Sequence, residues 1–422
     1  MRMRIAIVLP FLFSAISSTA QTDKYLTDLS ALRSILQKTP SYNEQIKGEK
    51  LIAYDSLYQY LVSDTVNNPG SYHYFYNLSQ LIFPLRDNHL GFYQVPDYDR
   101  FKTQATIDSF VASRDFLEYP EYKINIDSLK TVLATRATDS IEGIYHYDKF
   151  YSVGLFKSGY KEYTGVIVAS NVNMWRRGQI AIRLYENAPN LYKAMYGHPS
   201  NKYFILQTNE KYRNQSLVNS YFYGSYSQSI YTKQLKQINY VNLSRNAPKF
   251  ELKNINADVQ YLLIRTFQAD NITMQRSHQF YDSVKNLLTA PNLVLDLRNN
   301  EGGAGKETSN YFALLKKYTR TGNVYVLINN NTLSQAEIFI LKLKDQFKNI
   351  ILLGQTTKGM LAYGSNYGRR LILPSGKFEI YPTDMGGSTK LLKYEDNGIP
   401  PDIFLNENSD WIEQAVELIQ KK

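Results

Sequence analysis

The sequence predicts an α/β protein whose core follows an N-terminal helical segment and an inserted β-rich domain. Beyond residue 250, short apolar runs alternate with amphipathic stretches, which is typical of a largely parallel sheet covered by helices. Before residue 95, leucine and tyrosine recur at helical spacing. Between these parts, short runs rich in Tyr, Ile and Val favour strands. The predicted divisions are residues 1–20, 21–95, 96–250 and 251–422.

The first of these divisions is predicted to be a signal peptide. Residues 1–4 are basic, and residues 5–16 form an apolar stretch too short for a comfortable membrane span. Positions 18–20 are Ser-Thr-Ala, the small residues that a signal peptidase recognises, so the mature chain would begin at Gln21. An uncleaved anchor is the less favoured alternative. The sequence therefore predicts an exported protein, periplasmic or secreted, without stable membrane insertion.

Composition narrows the classes of function. The 422-residue chain has a formal net charge of +10, but its basic residues are scattered, so nucleic-acid binding is not predicted. It has no cysteine, which excludes thiol catalysis, disulfides and thiolate metal sites. No metal site or other cofactor is predicted. The sequence alone does not explain the 36 tyrosines.

Individual elements follow from the same periodicities. In the helical segment, apolar faces predict helices over residues 26–36, 51–61 and 72–85. In the β-rich domain, residues 108–134 mix loop and strand signals, and strands are predicted at 145–152, 163–169, 179–185 and 202–207. In the core, helices are predicted at 274–288, 310–318 and 335–347, between strands at 260–267, 293–297, 324–328 and 350–353.

Two of the core strands end in residues suited to nucleophilic chemistry. Gly302 and Gly303 follow one strand, and Ser334 follows the next at the start of a helix. A serine in that place has an exposed hydroxyl, and free backbone N–H groups lie nearby to hold a developing oxyanion. Taken singly, Ser334 could be only an N-cap, as most serines before helices are, and the glycine pair could be only a turn, as Gly-Gly usually is.

Five motifs, which follow one another in a fixed order, make a nucleophilic role for Ser334 more specific than either piece does alone. Residues 296–303 (Asp-Leu-Arg-Asn-Asn-Glu-Gly-Gly) resemble the D-L-R-x-N-x-G-G motif of the C-terminal-processing (tail-specific) serine peptidases and the tricorn-protease core. Residues 334–337 (Ser-Gln-Ala-Glu) resemble their S-x-A-E nucleophile motif. The remaining matches are to G-E-x-T-x-G, L-P-x-G and E-x-x-G-I-x-P-D, at residues 354–359, 373–376 and 395–402.

The resemblance implies a crotonase/ClpP-like core and an exported serine peptidase that acts on peptide or protein substrates. Ser334 would be the nucleophile, and the backbone N–H groups of Gly303 and Gln335 would form the oxyanion hole. No G-L-G-F loop of the kind found in PDZ domains is evident, so capture of substrate C-termini is not predicted. The sequence leaves the oligomeric state open.

The resemblance also implies which residue acts as the general base that takes the proton from Ser334. Leu-Arg-Asp-Asn-His, ending at His89, resembles the L-x-D-x-H motif of the tricorn-like branch, in which the histidine reaches the serine. His73 is its one plausible competitor. Glu395 would be a supporting acid, acting through a polar relay or on the amino end of the substrate. Met360 stands where the processing peptidases have their lysine, and Lys358 remains an alternative base.

Other interpretations stay open at this point. Glu395 is also compatible with a solvated loop carboxylate. Glu337, one turn after Ser334, is predicted to cap the helix and not to act in catalysis. The alternative function for the whole chain is a non-catalytic ligand- or peptide-binding protein on the same scaffold.

Overall fold

A computed structural model of the chain describes residues 12–421, except for residues 67, 228, 236–237, 366–367 and 388. The basic start of the predicted signal peptide therefore lies outside the described residues. Among the described helices, none combines the length and apolar character needed to cross a bilayer. The chain divides into two compact units: Met1–Leu235 with Ser365–Met385, and Lys236–Gly364 with Gly386–Lys422.

The helices, numbered in chain order, occur in both units. They are α1 Leu12–Leu36, α2 Pro40–Gln45, α3 Glu49–Ser63, α4 Tyr72–Gln80, α5 Gln104–Val111, α6 Arg114–Leu117, α7 Ile126–Ala134, α8 Asn271–Val284, α9 Ser309–Tyr318, α10 Gln335–Gln346 and α11 Trp411–Gln420. Helices α5 to α7 correct the prediction of mixed loop and strand for residues 108–134. Each begins at a side chain that accepts a hydrogen bond from the first turn, namely Thr103, Ser113 and Asn125.

The strands are numbered in the same way. They are β1 Gly91–Gln94, β2 Gly143–Tyr147, β3 Tyr151–Gly159, β4 Glu162–Ser170, β5 Ile180–Ala188, β6 Leu191–Gly197, β7 Phe204–Arg213, β8 Ser216–Leu217, β9 Tyr231–Thr232, β10 Phe250–Asn254, β11 Val259–Ile264, β12 Asn292–Asp296, β13 Asn323–Ile328, β14 Ile350–Gly354, β15 Leu371–Ile372, β16 Phe378–Tyr381 and β17 Ile403–Phe404.

The first unit is built on an antiparallel sheet that closes on itself. Its strand order is β7-β6-β5-β4-β3-β2-β9-β8, and β8 pairs back to β7, so eight strands form a barrel. Strands β1, β16 and β15 extend the sheet beyond β7. Residues 373–376, which match L-P-x-G, lie in this unit next to β16. Strand β16 pairs with β1 in the register Gly91 to Tyr381.

The core of the first unit explains much of the tyrosine content. Tyr145, Tyr147, Tyr196 and Tyr231 are fully buried and Tyr151 nearly so. The rings of Tyr147, Tyr151, Tyr196 and Tyr231 contact one another. The hydroxyl of Tyr151 lies 2.7 Å from that of Tyr231, and the hydroxyl of Tyr196 donates to Glu210 at 2.7 Å. Tyrosine supplies a large apolar ring and a polar end that bonds inside the core, which suits a barrel filled by ring-to-ring packing.

The second unit confirms the predicted α/β core. Its sheet has the order β10-β11-β12-β13-β14-β17, with β10 antiparallel and the other neighbours parallel. One hydrophobic cluster packs residues of α8, α9 and α10 against the sheet, and another contains Trp411 of α11. The parallel strands therefore lie between two layers of helices, and their carboxyl ends share one edge of the sheet.

Candidate active site

Ser334 lies at a sharp turn between β13 and α10. Its backbone has φ 58° and ψ −125°, in a region that residues other than glycine rarely adopt. The side chain is half-buried, and the residue directly precedes the first turn of α10. The turn therefore presents the serine at a helix N-terminus, where backbone N–H groups lack helical acceptors.

The glycine loop after β12 lies against this turn. Gly302 has φ 82°, and a Cβ atom on it would lie 2.7 Å from the Gln335 nitrogen and 3.0 Å from Cβ of Ser334. Gly303 has φ 139°, and a Cβ atom there would lie 2.0 Å from the Phe267 carbonyl oxygen. Both positions require glycine because the conformation and the close approach exclude a side chain.

Two N–H groups at this meeting point are available to a ligand. In the described part of the chain, neither the Gly303 N–H nor the Gln335 N–H donates to a protein acceptor. Gly303 is exposed to solvent. The loop is held on either side, since the Phe267 N–H donates to Gly302 at 2.9 Å and the Ala304 N–H donates to Phe267 at 2.8 Å. Such a pair of free donors is the arrangement that stabilises an oxyanion.

Asn300 connects the glycine loop to both neighbouring segments and was missed as a site residue. Its side chain is fully buried, donates to the Ile264 carbonyl at 2.9 Å and accepts the Gly302 N–H at 2.9 Å. Its carbonyl accepts the Leu333 N–H at 3.0 Å, next to Ser334. Its place as the asparagine of the D-L-R-x-N-x-G-G motif is the sequence signal that could have identified it.

Glu337 caps α10, as predicted, and makes three further contacts. It is fully buried, and its Oε2 accepts the Ser334 N–H at 3.0 Å. The same carboxylate accepts the Thr357 hydroxyl at 2.5 Å and the N–H groups of Gly359 and Met360 at 2.8 and 3.0 Å. Burial raises the pKa of Glu337, and these hydrogen bonds oppose that rise.

Glu395 is a buried residue of the second unit and not a solvated loop carboxylate. Its side chain is fully buried, and Oε2 accepts the N–H groups of Leu361 and Ala362, each at 2.8 Å. Lys358, the alternative base, is half-buried, and its backbone N–H donates to the Thr332 carbonyl at 3.2 Å. Glu337 and Glu395 thus bind adjacent parts of one segment.

His89 belongs to the first unit, whereas Ser334 belongs to the second. His89 is half-buried and follows Asp87, whose carboxylate accepts the Thr383 hydroxyl at 2.6 Å. Burial raises the pKa of Asp87, against hydrogen bonds from Ser41, Thr383 and the N–H groups of His89 and Leu90. The aspartate of the L-x-D-x-H motif therefore holds the turn that carries the histidine.

Residues 304–404 match the sequence profile of peptidase family S41. This segment contains four of the five motifs, including Ser334 and Glu395. The match confirms the resemblance predicted from the ordered motifs, and the class of enzyme that goes with it is the serine-type peptidase. No curated protein is significantly similar to the chain.

Several solved structures resemble the chain. Mature CPAF is 13% identical, over 95% of this chain and 96% of its own, with a TM-score of 0.41. The photosystem II D1 C-terminal processing protease is 14% identical, over 91% and 93%, with a TM-score of 0.35. A lipoprotein from Streptococcus agalactiae is 18% identical, over 42% and 71%, with a TM-score of 0.31. Similarity at this level carries no argument about chemistry.

Proposed function

Since residues 304–404 carry the profile of peptidase family S41, we propose that the chain hydrolyses peptide bonds through an acyl-enzyme formed on Ser334. The Ser334 Oγ attacks the peptide carbonyl carbon while a base takes the hydroxyl proton. The N–H groups of Gly303 and Gln335 donate to the carbonyl oxygen as it becomes an oxyanion. The base then protonates the leaving amine, and water releases the acyl group by the same steps in reverse.

The meeting of the serine turn with the glycine loop carries this proposal. Ser334 adopts a strained backbone conformation at the start of α10, and Gly302 comes so close that a methyl group would strike the Gln335 nitrogen. Beside them, the N–H groups of Gly303 and Gln335 have no acceptor in the described part of the protein. A nucleophile and two free donors in one place support acyl-transfer chemistry.

The proposed base is His89, with Glu395 as the buried acid of the site and Lys358 as the alternative base. Histidine has an ordinary pKa of about 6.5, so it accepts protons near neutrality without further adjustment. Lysine must be strongly desolvated to serve as a base, and Lys358 is only half-buried. The buried carboxylate of Asp87 accepts the backbone N–H groups of His89 and Leu90. These hydrogen bonds fix the turn that carries His89, which is what a base held in one position requires.

Ser334→Ala tests the nucleophile. It should lower the rate of casein or peptide-library hydrolysis by on the order of 10⁶-fold, as in serine peptidases that lose the nucleophile, without changing the melting temperature by more than a few degrees. It should also abolish labelling by a fluorophosphonate probe. Ser283→Ala is the control, because Ser283 lies on the exposed face of α8. A Ser334→Ala protein that still hydrolyses at the parental rate refutes the proposal.

A panel of His89→Ala and Lys358→Ala tests the base with one fluorogenic peptide. His89→Ala should be about as damaging as Ser334→Ala, because members of one relay act as a unit, and Lys358→Ala should be much milder. The reverse pattern would assign a Ser334–Lys358 pair. If the parental protein binds peptides tightly, hydrolyses none and takes no fluorophosphonate, the chain is a binding protein on this scaffold.

Export is proposed on the sequence of the first 20 residues. Cleavage after the Ser-Thr-Ala of positions 18–20 would leave Gln21 as the new N-terminus. Intact mass and N-terminal sequencing of protein from the medium or periplasm should therefore begin at Gln21, as glutamine or pyroglutamate. Recovery of full-length chain only from the cytoplasm or membranes would contradict export.

A further inference from the structure

Residues 240–243 (Tyr-Val-Asn-Leu) lie against the two loops of the candidate site. They stand near the start of the second unit, outside its helices and strands, and we call them the connecting segment. Their hydrogen bonds go to the loop after β12, which leads to Gly302 and Gly303, and to the loop after β13, which leads to Ser334. The connecting segment therefore contacts both loops from which the site is built.

Asn329 is the residue at which these three pieces of chain meet. Its side chain is fully buried just after the end of β13. Its Nδ2 group donates to the Val241 carbonyl at 3.0 Å and to the side-chain oxygens of Asn242 and Asn299, each at 3.1 Å. Its Oδ1 atom accepts the N–H groups of Asn299 at 3.1 Å and Asn331 at 3.0 Å. Because this buried amide is hydrogen-bonded at both ends, it fixes the distance between the two loops.

Asn242 provides a second contact shared by both loops. Its Oδ1 atom accepts the Nδ2 groups of Asn331 at 2.9 Å, Asn329 at 3.1 Å and Asn299 at 3.3 Å. Asn299 belongs to the loop after β12, whereas Asn329 and Asn331 belong to the loop after β13. One oxygen of the connecting segment thus holds both loops, and hydrogen bonds in such a network strengthen one another.

The backbone of Asn299 requires support of this kind. Its φ is 56°, in the left-handed region that few residues other than glycine adopt, although asparagine is tolerated there better than most. Its Oδ1 atom accepts the Leu243 N–H at 3.0 Å as well as the Nδ2 group of Asn329. These contacts hold the turn through which the chain reaches Gly302.

Asp296 and Arg298, at the start of the first motif, belong to the same structure. Both are buried, and they form an ion pair at 2.6 Å. The Tyr261 hydroxyl donates to the same carboxylate at 2.9 Å. The Arg298 guanidinium also donates through Nη1 to the Tyr240 carbonyl at 2.9 Å. The ion pair therefore fixes the connecting segment directly before Val241 and Asn242.

The two loops remain hydrogen-bonded to each other as far as the nucleophile. The Thr332 hydroxyl donates to the Leu297 carbonyl at 2.8 Å, and the Leu333 N–H donates to the Asn300 carbonyl at 3.0 Å. Ser334 is the next residue. A displacement at the start of these loops is therefore transmitted to the Ser334 turn, where an error of about 1 Å costs on the order of 100-fold in rate.

We propose that Asn329 and Asn242 are positioning residues of the proposed peptidase site. From the side of the connecting segment, they hold the glycine loop and its N–H groups at a fixed distance from Ser334. The chemical steps stay with Ser334, its base and the buried acid assigned above. The proposal rests on the proposed peptidase function, but the hydrogen bonds are testable without it.

Substitutions of Asn242 test the hydrogen bonds directly. In Asn242→Asp, the carboxylate can still accept all three Nδ2 groups and loses the long 3.5 Å contact of Asn242 Nδ2 with Asn239, so kcat should stay within about threefold of the parental value. In Asn242→Ala, the three bonds are lost, and kcat should fall by at least about tenfold with a smaller change in KM. Asn329→Ala, which removes the buried amide, should lower kcat by about 100-fold.

A peptide boronate measures the positioning separately from turnover. It binds a nucleophilic serine as a tetrahedral adduct that resembles the transition state, so its affinity should fall in parallel with kcat in Asn242→Ala and stay near the parental value in Asn242→Asp. Asn246→Ala is the matched control, because Asn246 lies exposed a few residues further along the same stretch. It should change neither kcat nor boronate affinity.

Hydrogen exchange provides a readout that does not depend on activity. The Leu243 and Asn299 N–H groups donate to the side chains of Asn299 and Asn329. They should exchange at least about tenfold faster in Asn242→Ala than in the parental protein, and at near-parental rates in Asn242→Asp. In Asn329→Ala, the Asn299 and Asn331 amides should exchange faster still, because they lose the Oδ1 atom that accepts them.

The outcomes decide between the two proposals separately. Parental kcat in Asn242→Ala despite fast exchange would show that the network does not position the site, and parental exchange in Asn242→Ala would show that Asn242 does not hold the loops. If Asn242→Asp keeps slow exchange but hydrolyses as slowly as Asn242→Ala, the hydrogen bonds are not the cause and the proposal fails. If the parental protein neither hydrolyses peptides nor takes a fluorophosphonate, the peptidase function fails, and the exchange rates still decide whether Asn242 and Asn329 hold the loops.

Discussion

Gly302→Ala should damage the proposed oxyanion hole while leaving Ser334 and the proposed base chemically intact. The added Cβ would lie 2.7 Å from the Gln335 nitrogen and 2.9 Å from the Leu333 carbonyl oxygen. Ordinary contacts of a Cβ atom begin at 3.4 Å, so the turn must retreat by about 0.7 Å. The Gln335 N–H is one of the two proposed oxyanion donors, and it is the group that has to move.

The size of the effect follows from two terms. An alanine at φ 82° costs about 1–2 kcal/mol of stability from the left-handed backbone alone. A displacement approaching 1 Å at the reacting centre costs about 100-fold in rate, and loss of one oxyanion donor costs about 10²–10³-fold. We therefore expect kcat to fall by about 100-fold, with KM changed much less, because the donor matters chiefly in the transition state.

Gly376→Ala separates the two terms. Gly376 has φ 73°, close to that of Gly302, but a Cβ atom there would meet nothing within 4 Å. Gly376→Ala should lower the melting temperature, because alanine is strained in this left-handed backbone conformation, and it should leave kcat unchanged. The assay is steady-state hydrolysis of one fluorogenic peptide, with thermal unfolding of each variant. A folded Gly302→Ala protein with parental kcat would show that Gln335 is no oxyanion donor.

Two further outcomes are expected. Asn300→Ala should lower kcat by at least about tenfold, because the glycine loop loses its hydrogen bonds to the Asn300 side chain. Asn300→Asp should be less affected, because its carboxylate can still accept the Gly302 N–H. If Asn300→Ala were as active as the parental protein, this role of Asn300 would be wrong. Lys202→Met should raise the melting temperature at pH 7, because burial lowers the pKa of the Lys202 amine well below 10.5 and folding must remove its proton or bury its charge. The gain over the parental protein should shrink as the pH rises toward 10.5, where the unfolded lysine also loses its proton; a gain independent of pH would contradict that cause.

The core sheet was predictable because parallel strands covered on both faces give uninterrupted apolar runs. The predicted strand at residues 293–297 and the observed β12 (Asn292–Asp296) differ by one residue at each end. The predicted strand at residues 324–328 falls within β13 (Asn323–Ile328). Helices α5 to α7 were not predicted, because they are short and depend on their N-caps and on buried side chains such as Phe110 and Leu129.

The sequence predicts the nucleophile and the glycine loop of the candidate site, but not the long-range contacts that hold them. Motifs located Ser334 and the glycine loop, since each depends on a local sequence. The contacts of Glu395 with residues 361 and 362 join segments more than 30 residues apart, and no local pattern encodes them. The same holds for β16, whose pairing with β1 connects residues nearly 290 positions apart. Long-range partners of this kind are decided by packing and not by periodicity.

The backbone at Ser334 favours an enzyme over a binding protein on the same scaffold. A non-glycine residue at φ 58° and ψ −125° costs on the order of 1–3 kcal/mol, and Glu337, which accepts the Ser334 N–H, helps to hold it there. A scaffold that only binds a ligand could place glycine at this position and avoid the strain. A serine at this position is expected if its hydroxyl must lie beside the N–H groups of Gly303 and Gln335, for which the described residues provide no acceptor. Ser334→Gly should therefore relieve the strain, gain stability and lose all hydrolysis. A Ser334→Gly protein that still hydrolyses peptides at the parental rate would contradict the role of the hydroxyl.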